Sequence, residues 1–80
     1  MIRLAVCDDE IGLLTQVDQL ISNYNQNRTS EGKVIVSTFL SPKTLLANVE
    51  DGDTYDVYLL DIEMPDMHGL TLARAIKKIH

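Results

Sequence analysis

Three short β-prone runs alternate with three stretches whose apolar residues recur every three or four positions, and this alternation restricts the chain to very few architectures. The runs are residues 2–6 (IRLAV), 33–39 (KVIVSTF) and about 55–61, each of strand length. Between and after them lie helical stripes: Leu14, Val17, Ile21 and Tyr24, then Leu45, Leu46 and Val49, then Leu72, Ala73, Ile76 and Ile79. Strand, helix, strand, helix, strand, helix predicts right-handed crossovers between parallel strands. The expected fold class is therefore α/β, a doubly wound parallel sheet with helices on both faces.

Local signals place the element ends. Asp8 or Asp9 is expected to cap the first helix, with Glu10 near its positive end. The polar run 25–32 (NQNRTSEG) reads as a surface connection. Ser41 followed by Pro42 is a helix start, a cap and then an imino acid at the first helical position. Asp51, Gly52 and Asp53 stop that helix. Val57, Tyr58, Leu59 and Leu60 are uninterrupted, as in a strand buried on both faces. Pro65 lacks a backbone donor and pushes Met64 away from helical angles, so a loop follows. The last helix is predicted over about residues 68–80, with Arg74, Lys77 and Lys78 on its polar side and towards its negative end. Because the chain stops with that helix, the third strand is expected to be an edge, open to pairing with a second copy.

Eighty residues make one small domain, which buries about 60 to 65% of the surface its unfolded chain exposes. An apolar share of 45% with 24% charged residues fits a globular domain. The net charge of −5 disfavours contact with nucleic-acid phosphates, which takes clustered Lys and Arg. No apolar run approaches the roughly 18 residues of a membrane span, and no basic-then-apolar segment opens the chain. Neither anchor, membrane contact nor signal peptide is expected, and the default location is the cytoplasm. The single cysteine, Cys7, excludes an internal disulfide and reads as a small core residue.

The chemistry lies in acids at the strand ends. Asp8 and Asp9 follow the first strand and Asp61 closes the third, and in a parallel sheet all carboxyl ends point the same way. Acids 52 positions apart can therefore share one rim. Packed like charges repel unless a cation compensates. Oxygen donors without clustered His or Cys suit Mg2+, with Mn2+ as a substitute. Such a site can hold a phosphoryl group while a carboxylate attacks in line, and Asp61 is the best-placed nucleophile. A solvated acidic rim is the alternative reading. His68 reads as a solvated loop residue, and His80 carries no signal.

VCDDE after the first strand, YDVYLLDIEMPDMHG around the third and the helix opening HGLTLARAI together resemble the receiver domain of bacterial two-component response regulators. DIEMP is closest to members with a LytTR-type DNA-binding domain downstream. The resemblance spans the whole chain and implies a flavodoxin-like doubly wound sheet, here truncated to (βα)3 with three strands. It implies a signalling module, not an enzyme, that takes phosphate on Asp61 from a phosphohistidine of a sensor histidine kinase. In it Asp9 binds Mg2+ directly, Asp8 acts through a metal-bound water, and Glu63 offers its backbone carbonyl, with its side chain facing the site. Pro65 and Gly69 fall at loop-shaping positions. Receivers continue with two more strands and helices carrying a Ser or Thr hydroxyl and a Lys, and residues 1–80 contain neither; Lys77 and Lys78 do not stand in for that Lys. At most slow phosphorylation without normal switching is expected of this segment. Two further classes fit the acids less well. One is a Mg2+-dependent phosphohydrolase with an aspartyl nucleophile. The other is a receiver-like interaction module that never takes phosphate.

Overall fold

The computed structural model describes residues 1–79. Its elements are β1 (Ile2–Cys7), α1 (Ile11–Asn25), a 3-10 turn (Ser30–Gly32), β2 (Val34–Phe39), α2 (Pro42–Glu50), β3 (Val57–Leu60) and α3 (Gly69–Ile79). The predicted α/β alternation holds: all three strands are parallel in one sheet of order β2-β1-β3. His80, at the predicted end of the last helix, lies outside the described residues.

Side chains of β1 alternate between two cores, as pleating requires. Ala5 and Cys7 face α2 and α3, packing with Leu45, Val49, Met64, Leu72 and Ile76. Leu4 and Val6 face α1, packing with Leu14. β1 is thus the strand buried on both faces. β3 is not: Val57 and Leu59, in register with Leu4 and Val6, remain 45% and 51% exposed. Among the described residues only β1 borders β3, so the apolar run sits at an edge, uncovered on the α1 side.

The helix ends separate into one device that matches expectation and one that does not. Ser41 caps α2, its hydroxyl accepting the Thr44 N–H at 3.3 Å, with Pro42 opening the helix. At α1 the cap residue is Glu10, whose side chain makes no cap bond. Asp8 instead accepts the Glu10 N–H at 2.9 Å through Oδ1, a bond two residues along that turns the chain out of the strand before the helix starts. β3 is also shorter than 55–61. Asp56 precedes it as an anchor, donating its N–H to the Arg3 carbonyl at 2.8 Å and accepting the Arg3 N–H at 2.7 Å on Oδ2.

Candidate metal and phosphoryl site

β1 and β3 end level with each other. Cys7 is in register with Leu60, so Asp8 and Asp61 are the next residues on adjacent strands. Backbone bonds fix both: Asp61 donates to the Cys7 carbonyl at 3.0 Å and Asp8 to the Phe39 carbonyl at 3.1 Å. One carboxylate oxygen from each of Asp8, Asp9 and Asp61 lies within 4.8 Å of the other two. Asp8 is only 9% exposed, Asp61 is half-buried and Asp9 is exposed. Three hard oxygen donors on strand-end backbone, one facing solvent, fit a Mg2+ ion that keeps several waters. Zinc prefers His and Cys ligands, and this trio offers neither.

Glu63 stands apart from this trio. Its carboxylate does not join the group of three, but its backbone N–H donates to Asp61 Oδ1 at 3.3 Å, which orients the acid. The loop from Asp61 to Gly69 is pinned at two places. Met64 drops into the core, 8% exposed, and its sulfur accepts the Cys7 thiol at 3.7 Å. Gly69 returns the chain to the strand end, its N–H donating to the Ile62 carbonyl at 2.8 Å. His68 precedes α3 and accepts the Leu70 N–H at Nδ1, 3.2 Å away, so the exposed imidazole completes the helix start. Pro65 is exposed at the loop tip.

Cys7 forms the floor. Burial, and then the charges of Asp8, Asp61 and Asp9, push its thiol up to about 11, so it stays protonated and inert at neutral pH. Beside the acids an open groove of about 310 Å³ runs between Leu13, Val17 and Leu59. A second, of about 330 Å³, lies between β3 and α3, lined by Tyr55, Tyr58, Ala73 and Ile76.

Sequence reasoning named Asp8, Asp9 and Asp61, but not the two sulfurs in contact nor the Gly69 bond that closes the loop. Met64 flanking a proline carried no visible reason to be buried.

A family model described as "Response regulator receiver domain" matches residues 4–80. A solved structure, "Structure of the Francisella response regulator 1452 receiver domain", superposes with a TM-score of 0.66 at 22% identity. That match covers 98% of this chain and 57% of the other, so the chain spans little more than half the length of that receiver. No curated protein sequence matches the chain.

Proposed function

The chain belongs to the response regulator receiver domain family, and on that premise we propose that it is the phosphoacceptor part of a two-component signalling protein, taking a phosphoryl group on Asp61. The observation that carries this reading is the gathering of Asp8, Asp9 and Asp61 within 4.8 Å at the ends of two adjacent parallel strands. The donor is a phosphohistidine on a sensor histidine kinase. An Asp61 oxygen attacks phosphorus, an O–P bond forms as the P–N bond breaks, and the bonding pair stays on the imidazole nitrogen.

Each residue has a separate task. Asp61 is aimed by the Glu63 N–H at Oδ1 and by its own N–H on the Cys7 carbonyl. Asp8, tied to the Glu10 N–H, and exposed Asp9 would hold Mg2+ together with Asp61 and the Glu63 carbonyl. When bound, the ion supplies positive charge that offsets the phosphoryl oxygens and the three carboxylates. The inert Cys7 thiol beneath adds no competing nucleophile.

The parent protein acts in the cytoplasm and passes the signal to a DNA-binding output domain, of LytTR type by the wording of residues 61–65 (DIEMP). With a net charge of −5, this segment leaves nucleic acid to that domain. The β3 edge, with Val57 and Leu59 about half exposed, pairs copies of the chain; elution from gel filtration as a clean monomer would count against that.

Incubation with acetyl phosphate and Mg2+, followed by intact-mass measurement on the native and Asp61→Asn chains, tests the proposal. A gain of one phosphoryl mass that depends on Asp61 is expected. No such gain in the native chain would overturn it.

A further inference from the structure

Gly69 is buried at the first position of α3, where the helix meets the backbone of the phosphoacceptor. A Cβ placed there would overlap the Asp61 carbonyl oxygen, and would lie 2.9 Å from its carbon and 3.0 Å from Ile62 Cα. These are backbone atoms and cannot swing aside as a side-chain end can. The Gly69 backbone has no positive φ, a feature found in this chain only at Gly52 among the described residues. Space, not conformational freedom, is therefore what requires glycine. The close approach also allows the 2.8 Å bond from the Gly69 N–H to the Ile62 carbonyl, one residue on, so the Asp61–Ile62 peptide is held between that bond to α3 and the bond of the Asp61 N–H to β1.

We infer that Gly69 is a positioning residue for the acidic site: the absence of a side chain lets the start of α3 press on the Asp61–Ile62 peptide and hold the Asp61 carboxylate within reach of Asp8 and Asp9. This rests on the phosphoacceptor reading and adds to it a device outside the acids. On the opposite side of that peptide the strand bond from Asp61 to the Cys7 carbonyl resists movement. Adding a methyl group forces either the helix start or the acceptor out of place. Misplacement of a reacting group by about 1 Å costs on the order of 100-fold in rate.

The test compares Gly69→Ala with Val49→Ala, which opens a cavity in the same core far along α2 and serves as a destabilised control. For each, the folded fraction is measured by circular dichroism, Mg2+ affinity by amide chemical shifts, and the rate of phosphorylation by acetyl phosphate by intact mass. Corrected for folded fraction, Gly69→Ala should be slower by about 100-fold and weaker in Mg2+ binding, while Val49→Ala should match the native chain. Equal behaviour of the two corrected variants would overturn the role of Gly69.

If Gly69→Ala does not fold, hydrogen exchange in the native chain decides. Opening of the clamp dismantles the site, so Mg2+ at about 100 times its dissociation constant should slow exchange of the Gly69 amide about 100-fold. The Gly52 amide, bonded to the Val49 carbonyl at the far end of α2, should not change. A Gly69 amide indifferent to Mg2+, or slowed no more than Gly52, would refute the clamp. A native chain that neither binds Mg2+ nor takes phosphate overturns the functional reading and this inference together; a native chain that does both, with Gly69→Ala its equal, overturns the inference alone.

Discussion

Asp61→Asn should reverse its effect on stability when Mg2+ is added. Without metal, Asp61 faces two like charges no more than 4.8 Å away. Two unit charges at that separation repel by about 0.9 kcal/mol in water, so neutralising Asp61 relieves at most about 1.7 kcal/mol at low salt. The substitution keeps the local bond in weaker form, since an amide oxygen also accepts the Glu63 N–H but carries no charge. For a chain of this length that gain raises Tm by at most about 10 °C. With Mg2+ at about 100 times its dissociation constant, the native chain gains about 2.7 kcal/mol while the variant, short of one charged ligand, gains much less. The native chain then becomes the more stable of the two. Urea titrations in chelator and in Mg2+, each at low salt and at 1 M salt, read both effects. Salt at 1 M shortens the screening length to about 3 Å and should remove most of the variant's advantage in chelator. A variant no more stable than the native chain in chelator at low salt, or an order that Mg2+ leaves unchanged, would refute a shared acidic pocket.

Two further outcomes follow from groups around the site. Cys7 has its thiol held up to about 11, against 9.0 when unfolded. The folded chain thus keeps a proton that the unfolded chain loses, and stability should be intact below pH 9 and fall as pH rises towards 11. Denaturation in chelator across that range reads the slope, which Cys7→Ala should reduce, the remainder coming from Tyr58, whose hydroxyl is also pushed up by burial; a slope unchanged in Cys7→Ala would show that Cys7 does not contribute. Asn25 bridges the end of α1 to the start of β2, donating to the Val34 carbonyl at 2.7 Å and accepting the Val34 N–H at 2.8 Å. Asn25→Ala should cost about 1 to 3 kcal/mol in urea denaturation, whereas a loss within error would mean that water replaces both bonds.

What could be read from the residues depended on how local its cause was. The start of α2 needed only Ser41 and Pro42, neighbours whose preferences act within one turn. The part played by Asn25 was hidden. In sequence it marks where a helical stripe fails, and its double bond to Val34 exists only once α1 and β2 have packed. Asp8 misled for the opposite reason: it has the chemistry of a cap, but the rim of the sheet takes its carboxylate and Glu10 occupies the cap position without capping. The apolar sequence of β3 announced burial on both faces. Its neighbours determine whether that burial occurs, and with β1 alone beside it among the described residues Val57 and Leu59 stay half exposed.

The acidic site lies between these cases, because parallel strands bring the acids to one rim but register decides whether they meet. Cys7 stands beside Leu60, and that pairing puts Asp8 and Asp61 side by side. A slip of one residue would move Asp61 by about 3.3 Å and turn it to the other face of the sheet. β3 is only four residues long and borders one strand, so the ladder alone specifies register weakly. Three contacts beyond the ladder specify it instead. Tyr58 and Leu60 pack on the Ala5 and Cys7 face, Met64 seats its sulfur on Cys7, and Gly69 presses on the Asp61–Ile62 peptide. All three act within nine residues of Asp61, and a slipped register would break each of them. Core packing and the loop, more than the hydrogen bonds of a short edge strand, therefore keep Asp61 opposite Asp8.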